Sequence, residues 1–264
     1  MKAKLYLLTI LCGLITGCDY IEDDERLIAL EDTPVVPTTV VKNVLLEDFT
    51  GQRCSNCPTG TEVIEELQEA YGDRLIAVGI HSGPLGFKGT ATVKGLATVV
   101  GDEYYSHWGL EYQPVGLINR HGAVNYTDWP RAVREVMPLE SVLKMSVTAT
   151  VDGDQMAITV TEEATADFAG NLQVWVLEDG ITALQTMPDG SNNREYVHNH
   201  VLRAAVNGTW GELVSVKGHA DRRHYRYTAT IPPQCNPEHM NVVAFVYTDE
   251  EVMQAAQKEI IHTK

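Results

Sequence analysis

Positive charge is scarce in this sequence of 264 residues, in which 20 Lys and Arg residues face 36 Asp and Glu residues and the formal net charge is −16. Nucleic acids and anionic lipid surfaces bind proteins through basic faces, because both carry dense negative charge. The composition therefore argues against nucleic acid as a partner and against an electrostatic attachment to anionic lipid. Hydrophobic residues make up 44% of the chain, which is enough to bury a core.

Long hydrophobic runs are also missing. The apolar run Leu5–Ile15 is too short to span a bilayer comfortably, and it follows the basic residues Lys2 and Lys4. It ends in Leu14-Ile15-Thr16-Gly17-Cys18, which resembles a bacterial lipobox. In that pattern, cleavage leaves a lipidated Cys18 as the first residue of the mature chain. The alternative is an ordinary signal peptide with a chance cysteine.

We therefore expect residues 1–17 to be a lipoprotein signal peptide and residues 18–40 to be a lipidated tether. The tether is acidic and shows no clear period, and it contains Pro34 and Pro37, which is typical of a solvated linker. These predictions describe an outer-membrane lipoprotein of the cell envelope that is held to the membrane through Cys18. The sequence leaves open whether it is periplasmic or surface-exposed.

Cysteine is sparse as well, and the five cysteines do not form one disulfide framework: Cys12, Cys18, Cys54, Cys57 and Cys235. Cys12 lies within the signal peptide, Cys18 is the lipidation site, and Cys235 is an isolated loop thiol. The remaining two form a CxxC pair. No second Cys/His pair stands at zinc-ligand spacing, so we expect neither a metal nor a cofactor.

The CxxC pair lies between an apolar strand, Val44–Leu46, and a helix-patterned run, Thr61–Tyr71. A cysteine at a helix N-terminus faces unpaired N–H groups and the positive end of the helix dipole, which lower its pKa. The positive charge of the neighbouring Arg53 would also lower the pKa of Cys54. We therefore expect Cys54 to be the attacking, more exposed cysteine and Cys57 to resolve the mixed disulfide. The alternative is a structural disulfide.

Two further residues make the region similar to a thioredoxin fold. Asp48 lies six residues before the first cysteine, and Pro114 leads a later strand. The resemblance implies that Asp48 is a buried carboxylate that relays a proton to or from Cys57, and that Pro114 is a cis-proline lying against the disulfide. Glu47 is the alternative to Asp48 for that role, because the sequence does not settle which of the two side chains points toward the CxxC pair. The glycine-proline pair and the preceding aromatic residue of thioredoxins are absent.

The pattern changes after Pro138, where short strand-like runs alternate with turn clusters. We expect an α/β thioredoxin-like domain over residues 41–138, followed by an all-β, immunoglobulin-like sandwich domain over residues 139–264. His198 and His200 share one strand face at a spacing that metals can use, but a hydrogen-bonding role is favoured. His81 is interpreted as a polar loop residue rather than a proton acceptor.

The lipobox, the tether and the CxxC domain occur together with two segments of the β region, 196–203 and 243–247, which read YVHNHVLR and VAFVY. Together they are similar to the Omp-twenty-eight-related (Omp28-related) outer-membrane lipoprotein family. The resemblance implies a lipid-anchored envelope protein with a thioredoxin-like domain and a β-sandwich. It implies no established activity, although members have been regarded as surface proteins with adhesive roles.

Two functions follow from the sequence. The first is a thiol–disulfide oxidoreductase for exported proteins, which predicts a partly exposed Cys54–Cys57 bond and a cis peptide at Pro114. The second is a surface binding or adhesion lipoprotein in which the CxxC is structural, which predicts a buried disulfide. In either case the partner is a protein.

Overall fold

The computed structural model describes residues 39–218 and 222–262. The predicted signal peptide, Cys18 and all but the last two residues of the predicted tether lie outside these ranges.

An apolar strand leads into the CxxC motif and a helix leads out of it, as the sequence predicts. The helix buries Ile64 and Leu67, exposes most of its glutamates and carries Pro58 in its first turn, where a missing N–H costs nothing. The elements up to residue 138 are β1 (Val40–Val41), β2 (Val44–Thr50), α1 (Cys57–Tyr71), β3 (Leu75–His81), α2 (Val99–His107), β4 (Val115–Ile118), β5 (Ala123–Asn125) and α3 (Trp129–Val136).

The rest of the described chain consists of strands joined by turns. These strands are β6 (Glu140–Ser141), β7 (Leu143–Asp152), β8 (Gln155–Ala164), β9 (Phe168–Glu178), β10 (Ile181–Thr186), β11 (Asn192–His198), β12 (Val201–Ala205), β13 (Glu212–Val216), β14 (Arg222–Thr230), β15 (Met240–Tyr247), β16 (Val252–Glu259) and β17 (Ile261–His262). The protein is therefore mostly β, and the prediction of a β-rich second half is confirmed.

One large mixed sheet joins the two halves of the chain. Its strand order is β16-β15-β9-β12-β3-β2-β4-β5, and β13 also pairs with β9. β3 lies between two parallel neighbours, β2 and β12, and Val201 of β12 pairs with Gly79 of β3. Strands from both sides of residue 138 thus share one sheet, and the described residues form one compact unit. The boundary at residues 138/139 stays a prediction.

The large sheet is covered on both faces. On one face, α1 and α3 pack against Val44, Leu46 and Ala77. Farther along the same face, a four-stranded sheet of order β14-β8-β7-β17 packs against β9 and β15, which makes a sandwich of two sheets. The opposite face is covered by the region around α2, through Tyr104 and Tyr105. Within the described ranges, no helix has both the length and the apolar character that crossing a bilayer requires.

Candidate functional site

The two cysteines of the CxxC motif form a disulfide at the start of α1. Cys54 and Cys57 are joined by an S–S bond of 2.11 Å, and their Cα atoms are 5.4 Å apart. Both residues are buried, with relative exposures of 1% for Cys54 and 2% for Cys57. The expectation that Cys54 is the more exposed cysteine is therefore wrong. The reason lies elsewhere in the chain, in a hairpin that covers the motif.

That hairpin consists of β10 and β11, which pair only with each other among the described strands. The Gln185 side chain of β10 donates hydrogen bonds to the carbonyl oxygens of Cys54 at 2.8 Å and of Gly51 at 3.4 Å. The Thr186 N–H donates to the carbonyl oxygen of Gln52 at 2.9 Å. The hairpin thus satisfies backbone acceptors of the loop that carries the disulfide, residues 51–57, which we name the CxxC loop.

A cavity of about 100 Å³ lies beside the disulfide, and Cys57 lines it together with Asp48. Asp48 is 3% exposed, and its Oδ1 atom has no hydrogen-bond partner among the described residues. Burial away from water raises the pKa of Asp48 to about 8, so its carboxyl group is mostly protonated at neutral pH. The arrangement places a protonated acid in the same cavity as one sulfur of the disulfide.

Three histidines line this cavity, and two of them, His81 and His198, are in ring contact. His81 ends β3 on the same sheet face as Asp48, and His198 comes from β11 of the hairpin. Their ring centroids are 5.1 Å apart. Burial lowers the pKa of His81 well below its ordinary value, and repulsion from His198, when that ring is protonated, and from Arg203 acts in the same direction. Burial also lowers the pKa of His198 to about 4, so both rings are neutral at neutral pH.

These placements revise two interpretations. His81 is a buried wall of the cavity rather than a polar loop residue. His198 and His200 both line the cavity, but they do not share a strand: β11 ends at His198, and the imidazole of His200 lies 3.1 Å from the Asp179 carboxylate. Within residues 39–218 and 222–262, no group of three or more His, Cys, Asp or Glu side chains could hold a metal ion.

Glu47, the rival of Asp48, points to the opposite face of β2. It forms a buried ion pair with Arg120, whose Nη2 atom lies 3.0 Å from Oε1. The guanidinium group is surrounded by aromatic rings, with centroid distances of 4.2 Å to Tyr247 and 4.9 Å to Phe245. Because neighbouring residues of a strand point to opposite faces, Glu47 cannot share the cavity of Asp48. The structure therefore places Asp48, and not Glu47, beside the disulfide.

Pro114 leads β4, and the Gln113–Pro114 peptide bond is cis. The proline is buried and packs against the first turns of α1, where a Cβ atom on Gly60 would lie 3.2 Å from the Pro114 Cγ atom. The Gln113 side chain donates to the carbonyl oxygens of Thr50 at 2.6 Å and Ser82 at 2.9 Å, which joins the ends of β2 and β3 to this loop.

Cys235 is a half-buried free thiol, and it accepts a hydrogen bond from the Arg203 Nε atom at 3.2 Å. Burial raises the pKa of this thiol, and the guanidinium group of Arg203 opposes that effect. Cys235 does not line the cavity beside the disulfide.

Sequence reasoning missed the residues that cover the disulfide and form the far wall of its cavity, chiefly Gln185 and Tyr196. Both belong to a hairpin more than 100 residues beyond the CxxC motif. The run that begins at Tyr196 is strand-like in sequence, but nothing in its spacing indicates where that strand lies, and no pattern singles out Gln185.

Comparison with solved structures shows the fold. The chain is similar to HBP35 of Porphyromonas gingivalis with a TM-score of 0.64 and 16% sequence identity, over 83% of this chain and 76% of that one. A protein from Agrobacterium tumefaciens aligns over 83% of this chain and 94% of its own length at 15% identity, with a TM-score of 0.48. Curated proteins provide no match.

The family is shown by a sequence model. The model of outer membrane protein Omp28 matches residues 101–264, which is more than half of the chain. The matched part contains Pro114, Arg120 and the hairpin that covers the CxxC loop. This chain therefore belongs to the Omp28 family of outer membrane proteins.

Proposed function

We propose that this protein is a thiol–disulfide oxidoreductase for exported proteins and that Cys54–Cys57 is its redox pair. One observation carries the proposal: the buried carboxyl of Asp48 has an oxygen without a hydrogen-bond partner in the part of the chain that the structure describes, and it lines the same cavity as Cys57. Burying a polar group without a hydrogen bond costs stability. A structural disulfide gains nothing from that cost, whereas a redox pair needs a proton donor and acceptor beside one of its sulfurs.

We also propose that residues 41–138 are a thioredoxin-like domain. The order of elements supports this proposal: β2, the CxxC motif, α1, β3, α2, Pro114, β4, β5 and α3. In that arrangement the helix N-terminus lowers the pKa of the cysteine that it faces. Since an arrangement of elements does not by itself imply a function, the argument for activity rests on Asp48 and Cys57.

The reaction follows from the two positions. A thiolate of a substrate dithiol attacks the Sγ atom of Cys54, a bond forms between those sulfurs, and the Cys54–Cys57 bond breaks. The electron pair leaves on Cys57, which takes the proton of the Asp48 carboxyl. The second substrate thiolate then attacks the substrate sulfur of the mixed disulfide and releases Cys54 as a thiolate. The substrate is oxidised by two electrons and the CxxC pair is reduced; the reverse sequence reduces a substrate disulfide.

The proposed setting is the cell envelope. The membership in a family of outer membrane proteins supports it. We propose that Cys18 carries the lipid anchor and that residues 18–40 act as the tether. Incorporation of labelled palmitate into the wild-type chain, and its loss in Cys18→Ser, would support the anchor. Equal labelling of both chains would contradict it.

The reduction potential of the Cys54–Cys57 pair tests the activity. We expect a value between about −120 and −270 mV, the range of catalytic CxxC pairs, because Asp48 supplies the proton that the reduced form needs. Cys57→Ser should accumulate mixed disulfides with unfolded substrate proteins, and Cys54→Ser should abolish insulin reduction. Asp48→Asn should slow insulin reduction about 10- to 100-fold at pH 7. Unchanged insulin reduction in Cys54→Ser would refute the proposal.

A second candidate is a surface binding protein whose disulfide is structural. The burial of both sulfurs favours it, because neither can meet another protein in this conformation. It predicts a potential below about −300 mV and no turnover with any substrate disulfide. The same titration therefore separates the two functions.

A further inference from the structure

The β10–β11 hairpin stands apart from the two packed sheets of the protein. Its strands pair with each other, from Ile181 with His198 to Thr186 with Asn192. The turn and most of β11 are exposed, so the outer part of the hairpin is a ribbon with one covered side. That side lies on the CxxC loop and on the cavity beside it.

The base and the outer part of the hairpin are held by different forces. At the base, Ile181 and Ala183 are buried in an apolar cluster with Leu96 and Val201. Beyond Ala183 and its partner Tyr196, the buried side chain of the hairpin is polar, namely Gln185. The outer part contacts the body through hydrogen bonds of Gln185 and of the Thr186 amide, which water can replace when they open.

A register irregularity marks the change between these two parts. The pairing of β10 with β11 shifts between Ala183 and Gln185. Such irregularities interrupt the ladder and bend a strand locally. The irregularity therefore lies between the apolar base and the polar outer part, which is where a ribbon could bend without disturbing the core.

We propose that the outer part of the hairpin, residues 184–195, is a displaceable cover over the Cys54–Cys57 disulfide, and that disulfide exchange occurs only when this cover opens. The use of the cover as a control of turnover rests on the proposed oxidoreductase function. In the closed form, Gln185 holds the Cys54 carbonyl and both sulfurs are out of reach of protein thiols.

Opening changes the cavity as well as the access to it. Gln185 belongs to the cover and lines the cavity together with Asp48 and Cys57. When the cover lifts, the Gln185 side chain leaves the cavity and water reaches the Asp48 carboxyl. The same movement that admits a substrate thus gives the proton of Asp48 a route to solvent.

The first test measures how fast dithiothreitol reduces the disulfide under native conditions. Alkylation of samples at intervals, followed by mass spectrometry of the tryptic peptide 54–74, follows this disulfide without interference from other cysteines. Gln185→Ala removes the hydrogen bonds to Gly51 and Cys54 and should speed reduction roughly 3- to 30-fold. Thr182→Ala, an exposed position on the same strand, should leave the rate unchanged.

A second variant separates local opening from global unfolding. Val242→Ala creates a cavity in the sandwich core, far in sequence from the hairpin, and raises the fraction of unfolded protein. If a cover opens locally, this variant leaves the reduction rate unchanged. If its reduction accelerates by the same factor as its unfolding constant, the disulfide reacts only through global unfolding and the cover is refuted.

Hydrogen exchange gives an independent measurement on the unaltered chain. The Thr186 amide, which bonds to Gln52, should exchange at least about 100-fold faster than the amides of Val242 and Val176 in the central strands. Equal exchange rates would overturn the proposal.

The two proposals fail in different ways. The cover is refuted if Gln185→Ala leaves the reduction rate unchanged and Val242→Ala raises it by the same factor as the unfolding constant. This holds whether or not the protein reduces insulin. Fast local opening combined with no insulin reduction, in both the wild type and Gln185→Ala, supports a cover and refutes the oxidoreductase.

Discussion

Glu47 and Asp48 are neighbours on β2, and both carboxyl groups are buried, yet their surroundings are opposite. Glu47 faces α2 and forms an ion pair with Arg120 inside an aromatic enclosure. Asp48 faces α1 and meets a cavity in which its Oδ1 atom has no partner among the described residues. A burial cost that is offset by a partner indicates a structural role. The uncompensated burial of Asp48 beside the disulfide is the observation on which its proposed role in proton transfer rests.

Breaking the ion pair is expected to have the largest effect on stability. Glu47→Gln leaves the guanidinium group of Arg120 buried without a counter-charge, and such a loss costs about 3–5 kcal/mol. Urea unfolding of the variant against the wild type measures it. As a control, Glu135→Gln removes one partner of an exposed ion pair with Arg131 and should have no measurable effect. If both variants unfold at the same urea concentration, the buried ion pair contributes no more to stability than the exposed one.

Removing the neighbouring carboxyl should have the opposite sign. The pKa of Asp48 is about 8 in the folded protein against an ordinary value of 3.8, so the unfolded chain loses its proton first as pH rises. Folded stability therefore falls between these two values. Asp48→Asn removes this loss and should stabilise the protein at pH 7 by about 2–4 kcal/mol.

Unfolding free energies of both chains at several pH values between 4 and 9 would check the Asp48 prediction. The wild-type curve should slope downward as pH rises, relative to the curve of Asp48→Asn. Parallel curves would mean that Asp48 ionises normally, and the contrast with Glu47 would then disappear.

A smaller effect on stability is expected at acidic pH, from His198 in the same cavity. The pKa of His198 is lowered to about 4 by burial, against an ordinary 6.5, so the folded protein resists its protonation. The ionisation of His198 therefore does not lower the free energy of unfolding above pH 6.5, and it lowers this free energy progressively as pH falls toward 4. His198→Gln should remove about 1–3 kcal/mol of this loss at pH 4.5. An unchanged acid limb in His198→Gln would show that the ring reaches water.

The sequence was enough to predict the strand and helix on either side of the CxxC motif, because the apolar runs and Pro58 specify them locally. It also pointed to Pro114 and to Asp48. It could not choose between Glu47 and Asp48, because β2 is buried on both faces and shows no alternation. Nor could it place Gln185 over the disulfide, since the position of a hairpin depends on packing between distant parts of the chain.

The exposure of Cys54 was predicted wrongly for the same reason. A helix N-terminus favours a reactive cysteine, and this inference is local. Whether that cysteine meets solvent depends on Thr186 and Gln185, which arrive from another part of the fold. The joining of both halves of the chain in one large sheet was likewise not visible, because the parallel pairing of β12 with β3 connects residues that are far apart in sequence.

That pairing has a consequence for how the chain assembles. β3 has β2 on one side from early in synthesis, but its other edge stays open until residues 201–205 have emerged. An unpaired, apolar strand edge is a site for pairing with other chains, and contacts between distant residues form slowly. A chain cut after residue 138 would carry that edge permanently, and should associate with itself rather than remain a monomer. In the intact chain, the strand that closes the edge directly follows the hairpin, so completing the sheet and covering the disulfide belong to one late step of folding.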